Sequence, residues 1–462
     1  MSEDPVGSTN RPRSYQDLLA RDSRKVPETL SRTGVTDMGP VEIPTRWYLD
    51  PQIHELEIER IWKRSWQMVC RVDDIKEVGD TWVYDVASLS FVIVRSAPDT
   101  VRAFRNSCLH RGRPLRDCPG RTSQLKCPFH GFTWTLDGDL CGVPGRGQFP
   151  TLSKEAFRLP EAKVGLWGGF VFINPDPNAE PLEQYLGTFS QEFARAPLES
   201  KVKTVHVSKV IAANWKVVQD AFLEAFHVHT THPQWTVAYS DDLHQYDVFG
   251  NYSRIIIPGA NPSQQLRWKP TEQQMFNCMV GAWDDPSQPD EIPAGADVRR
   301  SIADRFRELM RPALGAAVDT YCDAEMLDVV SFNIFPNFGP FASPTTSLVY
   351  TFRPHGTVPN QTVFEIMLLS PWRADEAPPL VTERRLSDEE DFSDVPGLGF
   401  FGAILNQDTF NLKRIMKGIE NNQRGKLMLA SYHELKLRHF YELYARAMGF
   451  DLSDEEGRSA GS

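Results

Sequence analysis

The sequence predicts an α+β protein in which a small antiparallel β domain precedes a larger domain with helices on an antiparallel sheet. Between residues 66 and 174, short β-rich segments alternate with turn signals such as Asp137-Gly138. After the proline-containing stretch at 175–181, segments with helical periodicity alternate with further strands. A run of strands followed by mixed helices and strands is typical of the α+β class.

The N-terminal part of the chain has no sustained apolar period. Residues 1–45 are rich in Ser, Arg, Asp and Pro, and we predict an arm or a disordered segment there. Residues 46–65 are predicted to form a segment that packs on the larger domain. Within this segment, a helix is predicted at about 50–64. The reason is a partial helical stripe of apolar side chains at 56–62.

The small β domain is assigned to residues 66–175, the larger domain to 176–450 and a tail to 451–462. Strands in the small domain are predicted at 81–85, 90–94, 101–104 and 169–173. The larger domain is predicted to contain helices around 214–229, 301–315 and 401–420, and strands at 330–335, 346–353 and 362–369. Surface loops are predicted at 284–297 and 373–396.

Composition argues against several classes of protein. The 462 residues are 41% hydrophobic and carry a formal net charge of −11 without a basic block, so we expect no nucleic-acid partner. The first 15 residues lack the apolar core of a signal peptide, and the longest apolar runs fall short of the roughly 20 residues that span a bilayer. We therefore expect a cytoplasmic protein without a membrane partner. Its seven cysteines are expected to be reduced thiols or metal ligands.

The strongest local signal is a pair of Cys/His motifs in the small domain. Cys108-Leu-His110 is separated by sixteen residues from Cys127-Pro-Phe-His130. Zinc motifs usually cluster like ligands, with two Cys followed by two His, whereas each motif here supplies one of each. This distribution favours a [2Fe–2S] cluster in which one iron takes both thiolates and the other both imidazoles, with zinc as the alternative.

These motifs, followed by Gly131-Phe132-x-Trp134, resemble the Rieske motif of ring-hydroxylating oxygenases. The resemblance covers about residues 46–444. Arg113 and Phe129 stand where respiratory Rieske proteins have an additional disulfide, and Phe132 and Trp134 stand where those proteins place hydroxyl groups. Fewer hydrogen bonds to the cluster should lower its reduction potential, so we expect the low-potential oxygenase type.

A second group of candidate ligands lies in residues 214–233. Glu224 and His227 are three residues apart and would share one helix face. His227 and His232 are five apart, about 140° around a regular helix, so the helix must bend or end before His232. Pro233 disfavours helical geometry at His232 and would cause such a bend. His229 is expected to be an ordinary neighbouring residue, with a His229/His232 pair left open.

A buried carboxylate is predicted on the helix at 401–420. Asp408 falls on an apolar stripe, where an unpartnered carboxylate would be costly. The stripe consists of Phe401, Ile404, Leu405, Leu412, Ile415 and Ile419. A metal ion or a basic partner would stabilise the carboxylate. Two His and one carboxylate form the facial triad of mononuclear iron oxygenases, which leaves coordination positions open.

The oxygenase resemblance implies specific roles for these residues. His227, His232 and Asp408 would hold a mononuclear Fe(II), and Glu224 would connect His227 to a cluster histidine, His110 or His130, of a neighbouring subunit. The family uses a separate reductase, with or without a ferredoxin, and assembles as a homotrimer or with a small β subunit. The implied activity is O₂-dependent hydroxylation or dihydroxylation.

Aromatic side chains near the predicted ligands favour a hydrophobic, aromatic substrate. These residues are Phe222, Phe226, Trp235, Phe335, Phe338 and Phe401. The alternatives are a Rieske demethylase or quaternary-amine monooxygenase, and, outside enzymes, an electron carrier. Gly397-x-Gly399-x-x-Gly402 fits the dinucleotide fingerprint, but no preceding strand is predicted, so we interpret it as the entry to the Asp408 helix.

Overall fold

The computed structural model describes residues 14–240, 242–281 and 291–452. It confirms the α+β class. Short elements precede the small domain, and a π-helical turn, Ile58–Trp62, extends the last of them. These elements are α1 (Tyr15–Leu19), α2 (Glu28–Ser31), β1 (Glu42–Pro44), α3 (Arg46–Leu49) and α4 (Pro51–Glu57).

The described part of the N-terminal segment is an arm packed on the larger domain, so the disordered interpretation is wrong for residues 14–44. Tyr15, Leu18 and Leu30 are buried against that domain. The Asp22 carboxylate accepts hydrogen bonds of 2.9 Å from the backbone N–H groups of Asp323 and Ala324. These apolar residues are too few and too widely spaced to produce a periodic signal.

Helix α4 joins the N-terminal segment to the larger domain through a buried charge. Glu57 accepts hydrogen bonds from Trp215 Nε1 (2.8 Å) and Tyr444 OH (2.7 Å), and it forms an ion pair with Lys216. Both charged side chains of the pair are fully buried. Because Trp215 and Lys216 begin the segment that carries the candidate histidines, this contact fixes one end of the site.

Replacing Glu57 with alanine is expected to lower the free energy of unfolding by about 3–5 kcal/mol, because Lys216 would keep a buried charge without its partner. Urea unfolding of the variant and the parent measures the difference. The exposed Glu55→Ala on the same helix is the matched control and should change stability by less than about 0.5 kcal/mol. Equal midpoints for the Glu57 variant and the parent would contradict this role.

The small domain is built from two antiparallel sheets. Its strands are β2 (Gln67–Arg71), β3 (Asp80–Val86), β4 (Leu89–Ala97), β5 (Thr100–Arg105), β6 (Gly120–Arg121), β7 (Leu125–Lys126), β8 (Thr133–Trp134), β9 (Leu140–Gly142), β10 (Glu161–Trp167) and β11 (Phe170–Asn174). Seven described strands form the sheet β2-β11-β10-β5-β4-β3-β6, and three form β7-β8-β9. The four strands predicted from the sequence correspond to β3, β4, β5 and β11.

The larger domain places helices on an antiparallel sheet. Its helices are α5 (Leu182–Leu186), α6 (Phe189–Glu192), α7 (Trp215–Asp220), α8 (Val228–Thr231), α9 (Glu272–Val280), α10 (Val298–Leu314), α11 (Asp323–Leu327), α12 (Phe400–Glu420) and α13 (Leu435–Met448). Its strands are β12 (Val202–Ile211), β13 (Gln245–Phe249), β14 (Tyr252–Ile257), β15 (Val329–Ile334), β16 (Phe338–Ala342), β17 (Ser347–Pro354), β18 (Thr362–Ser370) and β19 (Arg384–Leu386). A last strand, β20 (Lys426–Met428), pairs with β1 of the N-terminal segment.

The eight described strands of the large sheet follow the order β13-β14-β15-β16-β17-β18-β12-β19. All neighbours are antiparallel except β12 and β19. Helices α7, α12 and α13 cover one face, where Leu348, Tyr350 and Phe352 of β17 belong to the main core. The opposite face packs against the small domain through Phe170 and Phe172. The candidate site lies on the helical face.

Two predicted elements differ from the structure. The predicted helix 214–229 is interrupted after Asp220, because the Glu224 carboxylate accepts hydrogen bonds from the backbone N–H groups of Phe226 and His227 and so competes with helical bonding. The predicted loop 373–396 contains strand β19 and two short 3₁₀ turns. Residues 284–290 of the predicted loop 284–297 lie outside the described residues, as do the tail residues 453–462 and residues 1–13, and residues 291–297 form a loop as predicted.

No helix within the described ranges is long and apolar enough to cross a bilayer.

Candidate functional site

Two tight turns of the small domain carry the four Cys and His residues predicted as ligands. Cys108 and His110 follow β5, and the Cys108 carbonyl accepts a hydrogen bond of 2.8 Å from the N–H of Gly112. Cys127 and His130 lie between β7 and β8, where the Cys127 carbonyl accepts a bond of 3.1 Å from Gly131. The structure therefore brings the two motifs together at one end of the domain.

The imidazole and thiol groups face one another across these turns. The rings of His110 and His130 are 4.7 Å apart and nearly perpendicular, and His110 stacks on Phe132 at 4.6 Å. Burial raises the pKa of the Cys108 thiol, and the adjacent Cys127 thiol raises it further. A positively charged metal centre would offset this effect and favour the thiolate form of Cys108, the form that binds a metal.

The chemistry of this donor set fits a [2Fe–2S] cluster. His110 Nδ1 is buried and has no hydrogen-bond partner, as expected of an atom that binds a metal. Within the described residues, no three of the four donors lie within 4.8 Å of one another, which is wider than a single zinc ion requires. Cys108 and Cys127 could hold one iron of a cluster, and His110 and His130 the other.

Phe132 and Trp134 carry no hydroxyl group that could bond to a cluster, and the described hydroxyls of the two turns, Ser107 and Thr133, bond to the carbonyls of Gly112 and Gly131. Trp134 directs its Nε1–H to the Phe157 carbonyl at 2.7 Å, and Arg113 pairs with Asp117 at the surface. Phe129 is 58% exposed beside the exposed His130. The exposed edge formed by Phe129 and His130 is therefore accessible to another protein. Two further cysteines of this domain, Cys118 and Cys141, are exposed.

A second group of donors lies in the larger domain. Nε2 of His232 is 2.8 Å from Asp408 Oδ1, and Nε2 of His227 is 3.5 Å from the same oxygen. One donor atom from each of these three residues lies within 4.8 Å of the other two. The structure thus brings together the three residues predicted as the facial triad.

Local backbone geometry places each of the three residues. His227 precedes α8, and His232 ends it with φ −123° and ψ 60°, outside the helical region, as the following Pro233 predicts. Asp408 lies on the buried face of α12 with Leu405, Leu412, Met416 and Ile419. Ile415, which was predicted on this stripe, is 46% exposed, and Met416 takes its place.

Glu224 holds the orientation of His227. Its Oε1 accepts a hydrogen bond of 2.5 Å from His227 Nδ1, and its Oε2 accepts a bond of 3.0 Å from the backbone N–H of His227. Because Nδ1 donates to Glu224, Nε2 is the ring nitrogen that faces Asp408 and that would bind a metal in place of its proton. Burial alone would lower the pKa of His227, but hydrogen bonds to Asp408 and Glu224 raise it to about 10 in the absence of a metal.

Gln407 plays the same part for His232. Its Oε1 is 2.8 Å from His232 Nδ1 and also accepts a bond of 2.8 Å from Gln234 Nε2. Because an amide oxygen can only accept, Nδ1 of His232 donates to Gln407, and Nε2, which lies 2.8 Å from Asp408 Oδ1, is the nitrogen that would bind a metal. Sequence reasoning missed Gln407, although its position beside Asp408 on α12 was a usable signal.

Replacing Gln407 with leucine is expected to weaken iron binding at this site by about 10- to 100-fold, because His232 would lose the acceptor that fixes its tautomer. Iron retention against a ferrous chelator measures the change. Gln234→Leu is the matched control, since it removes a donor to Gln407 but leaves the His232 contact in place. Unchanged iron retention in the Gln407 variant would contradict the assignment.

The alternative His229/His232 pair is not formed. The group of metal-compatible donors contains His227 and not His229. His229 instead lines the adjacent cavity, with its ring 5.6 Å from Phe226.

The glycine motif at 397–402 lies at the start of α12, with Gly399 before the helix and Gly402 in its first turn. A Cβ at Gly402 would lie 2.8 Å from the Phe392 carbonyl oxygen, so close packing explains this glycine.

A cavity of about 400 Å³ opens beside the three ligand residues. Among the predicted aromatic residues, Phe222, Trp235 and Phe401 line it. The remaining three do not, because Phe335 and Phe338 point into the core and Phe226 is 41% exposed. No Lys or Arg of the described residues lines the cavity. Away from the three ligand residues, the cavity wall is mostly apolar.

Two family comparisons match this chain. Residues 65–153 match the Rieske [2Fe-2S] domain. Residues 194–449 match the catalytic domain of the ring hydroxylating alpha subunit. Together these families imply a [2Fe–2S] cluster and one mononuclear iron as the cofactors, in agreement with the two donor groups described above.

Two curated proteins are similar to parts of the chain. The carnitine monooxygenase oxygenase subunit of Escherichia coli K12 is 30% identical over 231 residues, which are 48% of this chain and 60% of that protein. The chloroplastic choline monooxygenase of Spinacia oleracea is 26% identical over 263 residues, 56% of this chain and 58% of that protein. The chain thus spans about three fifths of these relatives' length.

Solved structures share the fold. A quaternary ammonium Rieske monooxygenase in complex with L-carnitine superposes with a TM-score of 0.62 at 19% identity, covering 92% of this chain and 99% of that one. Naphthalene 1,2-dioxygenase from Rhodococcus sp. gives a TM-score of 0.59 at 20% identity, covering 90% and 95%. With more than half of its length matched to the catalytic-domain family and a Rieske domain before it, the chain belongs to the ring-hydroxylating oxygenase alpha subunits.

Proposed function

We propose that the chain is a terminal oxygenase subunit that receives electrons at its Rieske cluster and oxygenates an apolar, aromatic-sized molecule. The observation that carries this proposal is the apolar cavity with His227, His232 and Asp408 in its wall. A mononuclear iron held there would supply O₂ activation, since a facial triad leaves positions open for O₂. The cluster would supply the second electron.

The chain's own residues prepare this site in three ways. Glu224 and Gln407 keep a proton on Nδ1 of His227 and His232, respectively, so that both Nε2 atoms are available. The aromatic wall excludes water from the reacting region. The carboxylate of Asp328, which also lines the cavity, is neutralised by Arg299 through two hydrogen bonds of 2.9 Å. The cavity therefore presents little uncompensated charge beyond the metal site.

Electron supply requires other proteins and, by our proposal, a second copy of this chain. All the described hydrogen bonds of Glu224 lie within its own loop, to Phe226 and His227. His130 is exposed at the end of the small domain. A Rieske domain from a neighbouring subunit could therefore place His130 or His110 beside Glu224, as in a homotrimer or an assembly with a small β subunit. A separate reductase, with or without a ferredoxin, would reduce the cluster.

A second candidate substrate class is a quaternary amine. Both curated relatives are named as monooxygenases of such compounds. Trp235 and Tyr239 line the cavity with their rings 4.9 Å apart and nearly perpendicular, and cations bind to such aromatic faces. The absence of Lys and Arg from the described cavity wall agrees with either class but offers no partner for the carboxylate of carnitine.

Substrate-dependent O₂ uptake with a reductase system tests the proposal. The panel contains bicyclic aromatic compounds, choline and L-carnitine, with product identification for each. We expect coupled uptake and a hydroxylated or dihydroxylated product from the aromatic compounds. Uptake only with choline or L-carnitine would favour the quaternary-amine function. No coupled uptake with any compound would favour an electron carrier over an oxygenase.

A further inference from the structure

The ring of Tyr350 is held rigidly in the wall of the cavity. Tyr350 lies on β17 and is 8% exposed. Its ring centroid lies 4.9 Å from Phe222, 5.4 Å from Phe341 and 5.6 Å from Phe364. Contacts on several sides leave the ring little rotational freedom, so the direction of its hydroxyl group is set before any ligand binds.

The hydroxyl of Tyr350 makes no hydrogen bond to any residue that the structure describes. Tyr350 lines the cavity, and its hydroxyl is not closed off by protein atoms. A ligand that fills the cavity and displaces water would leave this hydroxyl without a partner unless the ligand itself offers an acceptor. The pKa of Tyr350 is raised by burial and further by Asp408, which keeps the phenol neutral and able to donate.

Three hydroxyl groups of the cavity wall, those of Ser343, Thr345 and Thr346, are already engaged. Ser343 Oγ lies 2.8 Å from Thr345 Oγ1, and Thr346 Oγ1 lies 3.0 Å from the Ser370 hydroxyl. Tyr239 also lines the cavity, but it is less buried than Tyr350. Tyr350 is therefore the more buried of the two tyrosines in the cavity wall.

We propose that Tyr350 is a positioning residue that donates a hydrogen bond to an acceptor oxygen on an otherwise apolar ring substrate. The bond would fix which edge of the ring faces Asp408 and the two histidines. The substrate class is thereby narrowed from plain hydrocarbons to ring compounds bearing a carbonyl or ether oxygen. This inference rests on the proposed oxygenase function, but its test measures ligand binding and needs no turnover.

The test compares two bicyclic probes of the same shape, 1-indanone and indane, which differ by one carbonyl oxygen. Their dissociation constants are measured by calorimetry with the oxidised, iron-loaded full chain and without a reductase. Tyr350→Phe removes only the hydroxyl. The matched control is Tyr246→Phe, because Tyr246 is a buried tyrosine whose hydroxyl also lacks a partner but which does not line the cavity.

We expect Tyr350→Phe to weaken 1-indanone binding roughly three- to tenfold, as the loss of one hydrogen bond predicts, and to leave indane within about twofold. Tyr246→Phe should change neither probe by more than about twofold. An equal effect of Tyr350→Phe on both probes, no effect on either, or no saturable binding of 1-indanone to the parent would overturn the proposal. A failure of O₂ uptake would overturn the oxygenase function without altering this binding result.

Discussion

Replacing Asp408 with alanine is expected to remove the mononuclear iron and to lower oxygenation by at least about a thousandfold, while the cluster stays intact. Asp408 supplies the only carboxylate in the group of three donors found among the described residues. Two imidazoles alone hold iron weakly, and the variant would also leave a space at the buried face of α12. The cluster lies in the other domain and shares no ligand with this site.

Iron content, acid-labile sulfide and O₂ uptake measured on one preparation test this prediction. The variant should lose about one iron per chain and keep its sulfide. Thr409→Ala is the matched control, because the Thr409 hydroxyl bonds only to carbonyl groups of its own helix, at 2.8 Å and 3.3 Å. Full iron content and activity in the Asp408 variant would exclude this residue as a ligand.

Replacing Glu224 with glutamine should leave both metal centres bound and yet abolish turnover, a loss of about a hundredfold or more. An amide oxygen can still accept the Nδ1 proton of His227, so the histidine keeps its orientation and the iron stays bound. The glutamine amide carries no negative charge. Its nitrogen, unlike the second carboxylate oxygen of Glu224, cannot accept a hydrogen bond. We expect the connection to a neighbouring subunit's cluster to fail for that reason.

A single-turnover experiment separates this role from a structural one. The cluster is reduced first, then mixed with substrate and O₂, and its reoxidation is followed by absorbance. In the Glu224→Gln protein we expect slow reoxidation despite normal iron and sulfide content. Glu224→Asp retains the carboxylate on a side chain that is one methylene shorter, and it should restore part of the reoxidation rate. Coupled activity at the parental level in Glu224→Gln would exclude the bridging role.

Short-range patterns predicted the ligand groups because their information is local. The spacing from Cys108 to His130 and the non-helical geometry imposed by Pro233 are both properties of short segments. Asp408 could be predicted as a ligand because a carboxylate on an apolar helical stripe is anomalous, and its burial in α12 agrees with that argument.

What the sequence could not predict depends on contacts between distant segments. The interruption of the helix after Asp220 follows from one side-chain oxygen of Glu224 bonding to the backbone, which periodicity does not reveal. Gln407 lies 175 positions from His232, and the rings of Phe222, Phe341 and Phe364 around Tyr350 come from three different segments. The packing of the N-terminal arm likewise depends on residues about 300 positions away.

The central claim is that one polypeptide carries two separate iron centres, one with mixed sulfur and nitrogen donors and one with nitrogen and oxygen donors. Counting iron and acid-labile sulfide per chain in the purified protein tests it most directly. We predict about three iron atoms and about two sulfides per chain. Two irons with two sulfides, and no further iron taken up on reconstitution with ferrous ion, would contradict the second centre and with it the oxygenase function.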